Sequence, residues 1–83
     1  MDSIQQSYIV RIEKIVEDYT YHLRFSERES ALKCAVLLIT IVNDAQKTHA
    51  IHPLALIDNY NHPTFFLAYF SAKMLLSMNQ KVL

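Results

Sequence analysis

The chain has 83 residues, no glycine, and eight basic side chains balanced by eight acidic ones. Its length allows a single domain, residues 1–83, near the lower limit of independent folding, and its zero formal charge argues against a general binder of polyanions. With 52% apolar or aromatic residues, so small a domain cannot bury all of its apolar surface, which predicts a homodimer or another protein as partner.

The first predicted helix runs from about Ile4 to His22. Ser3, with Gln6 three residues later, matches a capping box, and apolar residues recur at spacings of three and four, as in an amphipathic helix. This apolar stripe consists of Ile4, Tyr8, Ile9, Ile12, Ile15, Val16, Tyr19 and Leu23. The pattern predicts one buried face, and Tyr8 and Tyr19 are secondary candidates for contact with a partner.

The second predicted helix begins after Ser26 and runs to about Lys47. Ser26 and Glu29 form a second capping box, and the polar strip of the helix is narrow, which is typical of a central helix. Cys34 lies within its apolar run and is the only cysteine. Because a single cysteine cannot form an internal disulfide, the sequence favours a reducing, cytoplasmic compartment.

Two His-Pro phrases, at residues 52–53 and 62–63, follow ten residues apart. Proline suits the first turn of a helix because its missing N–H has no intrahelical partner there. The phrases therefore predict a short helix from Pro53 to about Asn59, a turn over residues 59–61, and a long helix from Pro63 to about Gln80. Without glycine, the usual C-caps at positive φ are not expected, so proline-started or polar turns should join the helices.

The last helix is apolar around nearly its whole circumference. One side can face the core of the domain, and the other side then needs a second copy or a different protein, because aromatic residues and methionine are enriched in interface cores. The predicted partner-binding residues here are Phe66, Tyr69, Phe70 and Met74. A central core element, apolar on all sides, is the alternative that the sequence leaves open. Lys73 follows Tyr69 at i+4, which predicts a lysine stem lying along the ring with its ammonium in water.

The sequence gives little support for catalysis, a metal or a cofactor, and we expect none. It contains no Gly-x-Ser-x-Gly motif and no phosphate loop, and its four histidines lack cysteines or carboxylates at the spacing of zinc ligands. No segment reaches the roughly 18–20 mostly apolar residues of a membrane span. A membrane partner is therefore not expected, and a small membrane-associated protein is a third interpretation, which fractionation without detergent would test.

Three basic residues, Arg24, Arg28 and Lys33, cluster around the join between the first two helices, with Glu27 and Glu29 among them. They are the candidate contacts in an alternative interpretation, a DNA-binding transcriptional regulator that acts as a dimer. A recognition helix presents polar side chains to base edges, and the second and last helices are too apolar for that role.

These elements predict an all-α domain, a small bundle of three long helices and one short helix that is dimeric. The function that they favour is a non-enzymatic protein-protein interaction module: a regulator, adaptor, inhibitor or chaperone. Large amphipathic rings commonly supply the binding energy of such surfaces.

Overall fold

The computed structural model describes residues 3–52 and 63–82. They form three helices, α1 (Ser3–Arg24), α2 (Arg28–His49) and α3 (Pro63–Val82), and the described part contains no strand. The all-α prediction is confirmed, and each helix begins and ends within two residues of its predicted position. The predicted short helix from Pro53 to Asn59 and the turn after it lie outside the described residues.

One face of α1 is buried because its apolar residues recur every three or four positions. The buried residues of α1 are Tyr8, Ile9, Ile12, Val16 and Tyr19. The Tyr8 hydroxyl donates a hydrogen bond to Asp44 Oδ2 over 2.6 Å, and the Tyr19 hydroxyl lies 2.7 Å from Ser71 Oγ. These two bonds join α1 to α2 and to α3, respectively.

The central helix is α2, which packs against both α1 and α3, as its narrow polar strip predicts. Its buried residues are Ala31, Cys34, Ala35, Leu38, Ile41, Val42 and Ala45. The buried residues of α3 are Phe65, Ala68, Tyr69 and Ala72. Alanines on both helices belong to one core cluster, and such small side chains allow two helix axes to approach closely.

The join between α1 and α2 is a Schellman motif. Glu27 N–H donates to the His22 carbonyl over 2.9 Å, and Ser26 N–H donates to the Leu23 carbonyl over 3.2 Å. Ser26 has a φ of 57°, the left-handed conformation that glycine adopts most easily. The predicted serine cap of α2 is therefore wrong, because an N-cap residue is extended and the end of α1 holds Ser26 in another conformation.

The end of α2 also has a left-handed C-cap without glycine. Ala50 has a φ of 56°, and its N–H donates to the Gln46 carbonyl over 3.0 Å. Ile51 N–H donates to the Ala45 carbonyl over 3.1 Å. The expectation that a glycine-free chain avoids such caps is thus wrong at Ser26 and Ala50, where the left-handed conformation costs about 1–2 kcal/mol per residue.

Candidate interaction surface

The side of α3 that faces away from the core carries a row of large apolar side chains. The row, here called the α3 outer face, consists of Phe66, Leu67, Phe70, Met74 and Met78. Their exposed fractions range from 43% at Phe66 to 69% at Leu67. At 3.6 residues per turn, all five fall within about one third of the circumference of α3. The core therefore uses one apolar side of this helix and leaves the other side in water.

The α3 outer face has an aromatic half followed by a methionine half. The rings of Phe66 and Phe70 lie 4.7 Å apart between centroids, and Met74 and Met78 continue the row at the same spacing of four residues. Beside the row, Lys73 Nζ lies 5.2 Å from the centroid of the Tyr69 ring. The Lys73 ammonium thus makes a cation–π contact with this ring at the edge of the apolar row.

Three of the six predicted partner-binding residues lie in the core instead of on this surface. Tyr8, Tyr19 and Tyr69 are 5%, 0% and 8% exposed, because their positions on the helical wheel coincide with the buried faces. The structure thus places these tyrosines on the buried sides of their helices, and they contribute little to the exposed apolar surface. Phe66, Phe70 and Met74 are exposed, as contact with a partner requires.

An apolar cavity of about 450 Å³ opens where the C-terminal end of α1, the start of α2 and the C-terminal half of α3 meet. Its lining residues are His22, Leu23, Ser26, Glu27, Arg28, Ala31, Leu75 and Met78. Met78 therefore belongs both to the cavity and to the α3 outer face. Sequence reasoning missed this cavity because its walls come from three helices. One feature of the sequence that points to the cavity is Leu23, the last residue of the apolar stripe of α1. The structure leaves Leu23 44% exposed at the cavity wall.

The polar rim of this cavity includes a side-chain hydrogen bond that bridges the Schellman motif. His22 Nδ1 lies 2.8 Å from Glu27 Oε1, and Glu27 makes no side-chain cap for α2. The Glu27 carboxylate thus faces α1, where it supports the corner between the two helices. The polar contact at the rim stabilises the corner between α1 and α2, while the apolar side chains that line the cavity remain open to solvent.

A second groove, of about 520 Å³, runs between α1 and α2. Its lining residues are Arg11, Lys14, Ile15, Leu37, Thr40, Ile41 and Asp44. Leu37 is 55% exposed, whereas Lys14 Nζ lies 3.4 Å from Asp18 Oδ1 in an i,i+4 ion pair. The groove combines apolar and charged walls, in contrast to the unbroken apolar row on α3.

The hydrogen bonds of Asp44 fix the protonation states at one end of this groove. Besides the Tyr8 bond, Asp44 accepts a hydrogen bond from Thr48 Oγ1 over 3.0 Å. These two donors, Tyr8 first, hold the pKa of the Asp44 carboxyl below its ordinary value, while the bond to Asp44 raises the pKa of Tyr8. The carboxylate stays ionised and the phenol stays protonated near neutral pH, so the pair makes a fixed structural bond.

The basic residues of the alternative interpretation are all on the surface. Arg24, Arg28 and Lys33 are exposed, and so are Glu27 and Glu29. Two acids among three cations leave little net positive charge at this corner. These mixed charges are typical of a solvated helix start. A phosphate-binding patch would carry a larger excess of basic side chains.

Other kinds of site find little support in the described part of the chain. Cys34 is buried and free, and burial, followed by the charge of Asp18, raises the pKa of its thiol, which disfavours the nucleophilic thiolate. Among the described residues, no three histidine, cysteine or acidic side chains gather closely enough to hold a metal ion. No described helix has both the length and the apolar character needed to cross a membrane. No protein-family profile matches the chain, and no curated protein or solved structure is significantly similar to it.

Proposed function

We propose that this chain is a non-enzymatic protein-interaction module that binds through the α3 outer face and pairs first with a second copy of itself. The observation that carries this proposal is the exposure of five large apolar side chains on one side of a helix whose other side forms the core. Aromatic residues and methionine are enriched in interface cores, and lysine is depleted there. The α3 outer face has this composition, with Lys73 at its edge.

The size of the α3 outer face supports the same proposal. If a fully exposed large side chain presents about 200 Å², the exposed fractions of the five residues leave about 560 Å² of apolar area in water. The largest apolar patch on a typical monomer covers about 300–600 Å² and is often functional. This chain has only 83 residues and no net formal charge, so little electrostatic repulsion opposes the pairing of two such faces.

The test compares two substitutions that place a carboxylate on equally exposed apolar positions. Phe70 on the α3 outer face is 48% exposed, and Val36 on α2 is 49% exposed. We expect light scattering to report a dimer for the parent chain of 9.7 kDa and for Val36→Asp. Phe70→Asp should weaken pairing about ten-fold or more, because an unpaired carboxylate would be buried in the interface.

Circular dichroism of both variants provides the control for folding. If Phe70→Asp is unfolded, the same comparison with Met74→Asp, at a position that is 65% exposed, decides the question. A parent chain that stays monomeric at tens of micromolar, or an outer-face variant that stays dimeric, would overturn pairing through this face.

Titration with duplex DNA separates the module from its main alternative. A flat response is expected of a protein-interaction module. A duplex shift whose affinity falls steeply with salt, and which is lost when Arg24, Arg28 and Lys33 are replaced, would instead favour the dimeric DNA-binding regulator.

A further inference from the structure

Four residues of the α3 outer face repeat at a spacing of four, in the order Phe66, Phe70, Met74 and Met78. When two copies of this row run in opposite directions, each phenylalanine ring lies opposite a methionine sulfur. We propose that a second copy packs antiparallel along α3, with a two-fold axis level with Ala72. Phe66 then lies beside Met78 of the second copy, and Phe70 lies beside Met74 of the second copy. This inference rests on the proposed function and specifies the partner and its orientation.

The chemistry of the side chains favours the antiparallel orientation. Methionine sulfur makes favourable contacts with aromatic rings, and the antiparallel arrangement pairs all four rings of the dimer with sulfurs. A parallel arrangement would pair ring with ring and sulfur with sulfur at the same positions. It would also place two helix dipoles side by side in the same direction, which is unfavourable.

The spacing of four also determines how the two helices cross. Side chains at i±4n form a ridge inclined to the helix axis, and two such ridges run along each other when the helices cross at about −50°. The row from Phe66 to Met78 is about 18 Å long, at 1.5 Å per residue. The two helices diverge toward the ends of this row, and the long side chains of Phe66 and Met78 stand there to span the wider gap.

The available area predicts a specific but weak dimer. About 560 Å² from each copy gives about 1,100 Å² in total, which is just above the lower limit of about 1,000 Å² for a specific interface. The apolar cavity extends this contact, because Met78 lines the cavity and Phe66 of the second copy lies next to Met78. We therefore expect a dimer at tens of micromolar that dissociates on dilution below the micromolar range.

Cysteine cross-linking between two single variants tests the orientation. In a Cys34→Ala background, Phe70→Cys and Met74→Cys, the pair nearest the two-fold axis, where the helices are closest, are oxidised separately and as a mixture, at the highest soluble concentration. One variant carries a short tag so that a mixed dimer is distinguishable by mass. We expect the mixture to form disulfide-linked mixed dimers at least five times faster than either variant forms a linked dimer alone. If Cys34→Ala unfolds the chain, the same pair in the native background serves, because Cys34 is buried.

The outcomes separate this inference from the function on which it rests. Rapid disulfide linkage within each single variant, with no mixed dimer formed when the two variants are combined, would show a parallel dimer. That result would overturn the antiparallel orientation. If light scattering still reports a dimer that Phe70→Asp dissociates, the proposed function stands in that case. A parent chain that is monomeric at tens of micromolar, with no linked dimer in any of the samples, would overturn the pairing itself.

Discussion

Replacing Ser26 with glycine should stabilise the chain, although no contact is added. Ser26 is held at a φ of 57° by the Schellman motif, a conformation that costs a residue other than glycine about 1–2 kcal/mol. Glycine removes this cost but gains about 0.4–1 kcal/mol of additional entropy in the unfolded chain. The net expectation is a gain of about 0.5–1 kcal/mol in the free energy of unfolding.

The matched control is Ser7→Gly, the same chemical change at an exposed position inside α1. There the backbone is helical, so glycine should lower the free energy of unfolding by about 0.5 kcal/mol. Urea denaturation followed by circular dichroism measures both values, at one protein concentration because the proposed self-association would make stability depend on concentration. If Ser26→Gly destabilises the chain as much as Ser7→Gly does, the cost assigned to the left-handed serine is wrong.

The same reasoning applies to Ala50, at the other end of α2. The 22-residue helix separates the two caps by about 33 Å, so the effects of Ser26→Gly and Ala50→Gly should add within about 0.5 kcal/mol. A double variant that gains no more than either single variant would contradict two independent strained caps.

Two further predictions concern the tyrosine hydrogen bonds. Tyr19→Phe should lower the free energy of unfolding by about 1 kcal/mol, because the hydrogen bond to Ser71 is lost. The control is Tyr21→Phe, at a ring that is 55% exposed, which should change the free energy of unfolding by less than about 0.5 kcal/mol. Equal effects of the two substitutions in urea denaturation would refute the role of the buried bond. Because the folded pKa of Asp44 lies below its ordinary value, its stabilising contribution is present above about pH 4 and is lost as the pH falls through the folded pKa. Asp44→Asn should therefore lose less stability than the parent between about pH 6 and pH 2, and parallel curves of the urea midpoint against pH would contradict the bond with Tyr8.

The three long helices were predictable from the apolar period of α1, the narrow polar strip of α2 and the long apolar run that follows Pro63 in α3. The corner between α1 and α2 was not, because two signals compete for the same residues. Ser26 is suited to cap α2, but Glu27 and Ser26 also supply the N–H groups that close α1. One residue cannot be both extended and left-handed, and a local motif in the sequence does not say which helix end prevails.

The candidate surface was predictable in part. Phe66, Phe70 and Met74 are exposed, but the sequence could not decide which side of α3 faces inward, because both sides are apolar. The informative signal was the pair Ala68 and Ala72, which lie on the core side. Small side chains allow a close approach between helices, whereas large ones on the other side extend into water.

The buried alanines of α2 and α3 also restrict how the proposed interaction surface could change. Ala35 and Ala72 are fully buried, and a larger group at either site would overfill a packed interior, typically at a cost of about 1–3 kcal/mol. Rotating α3 about its axis would bring larger side chains into the positions of these alanine methyl groups. The interior would then be overfilled in the same way. Divergence in binding specificity should therefore proceed by exchanging residues along the exposed row, while the helix keeps its present rotation.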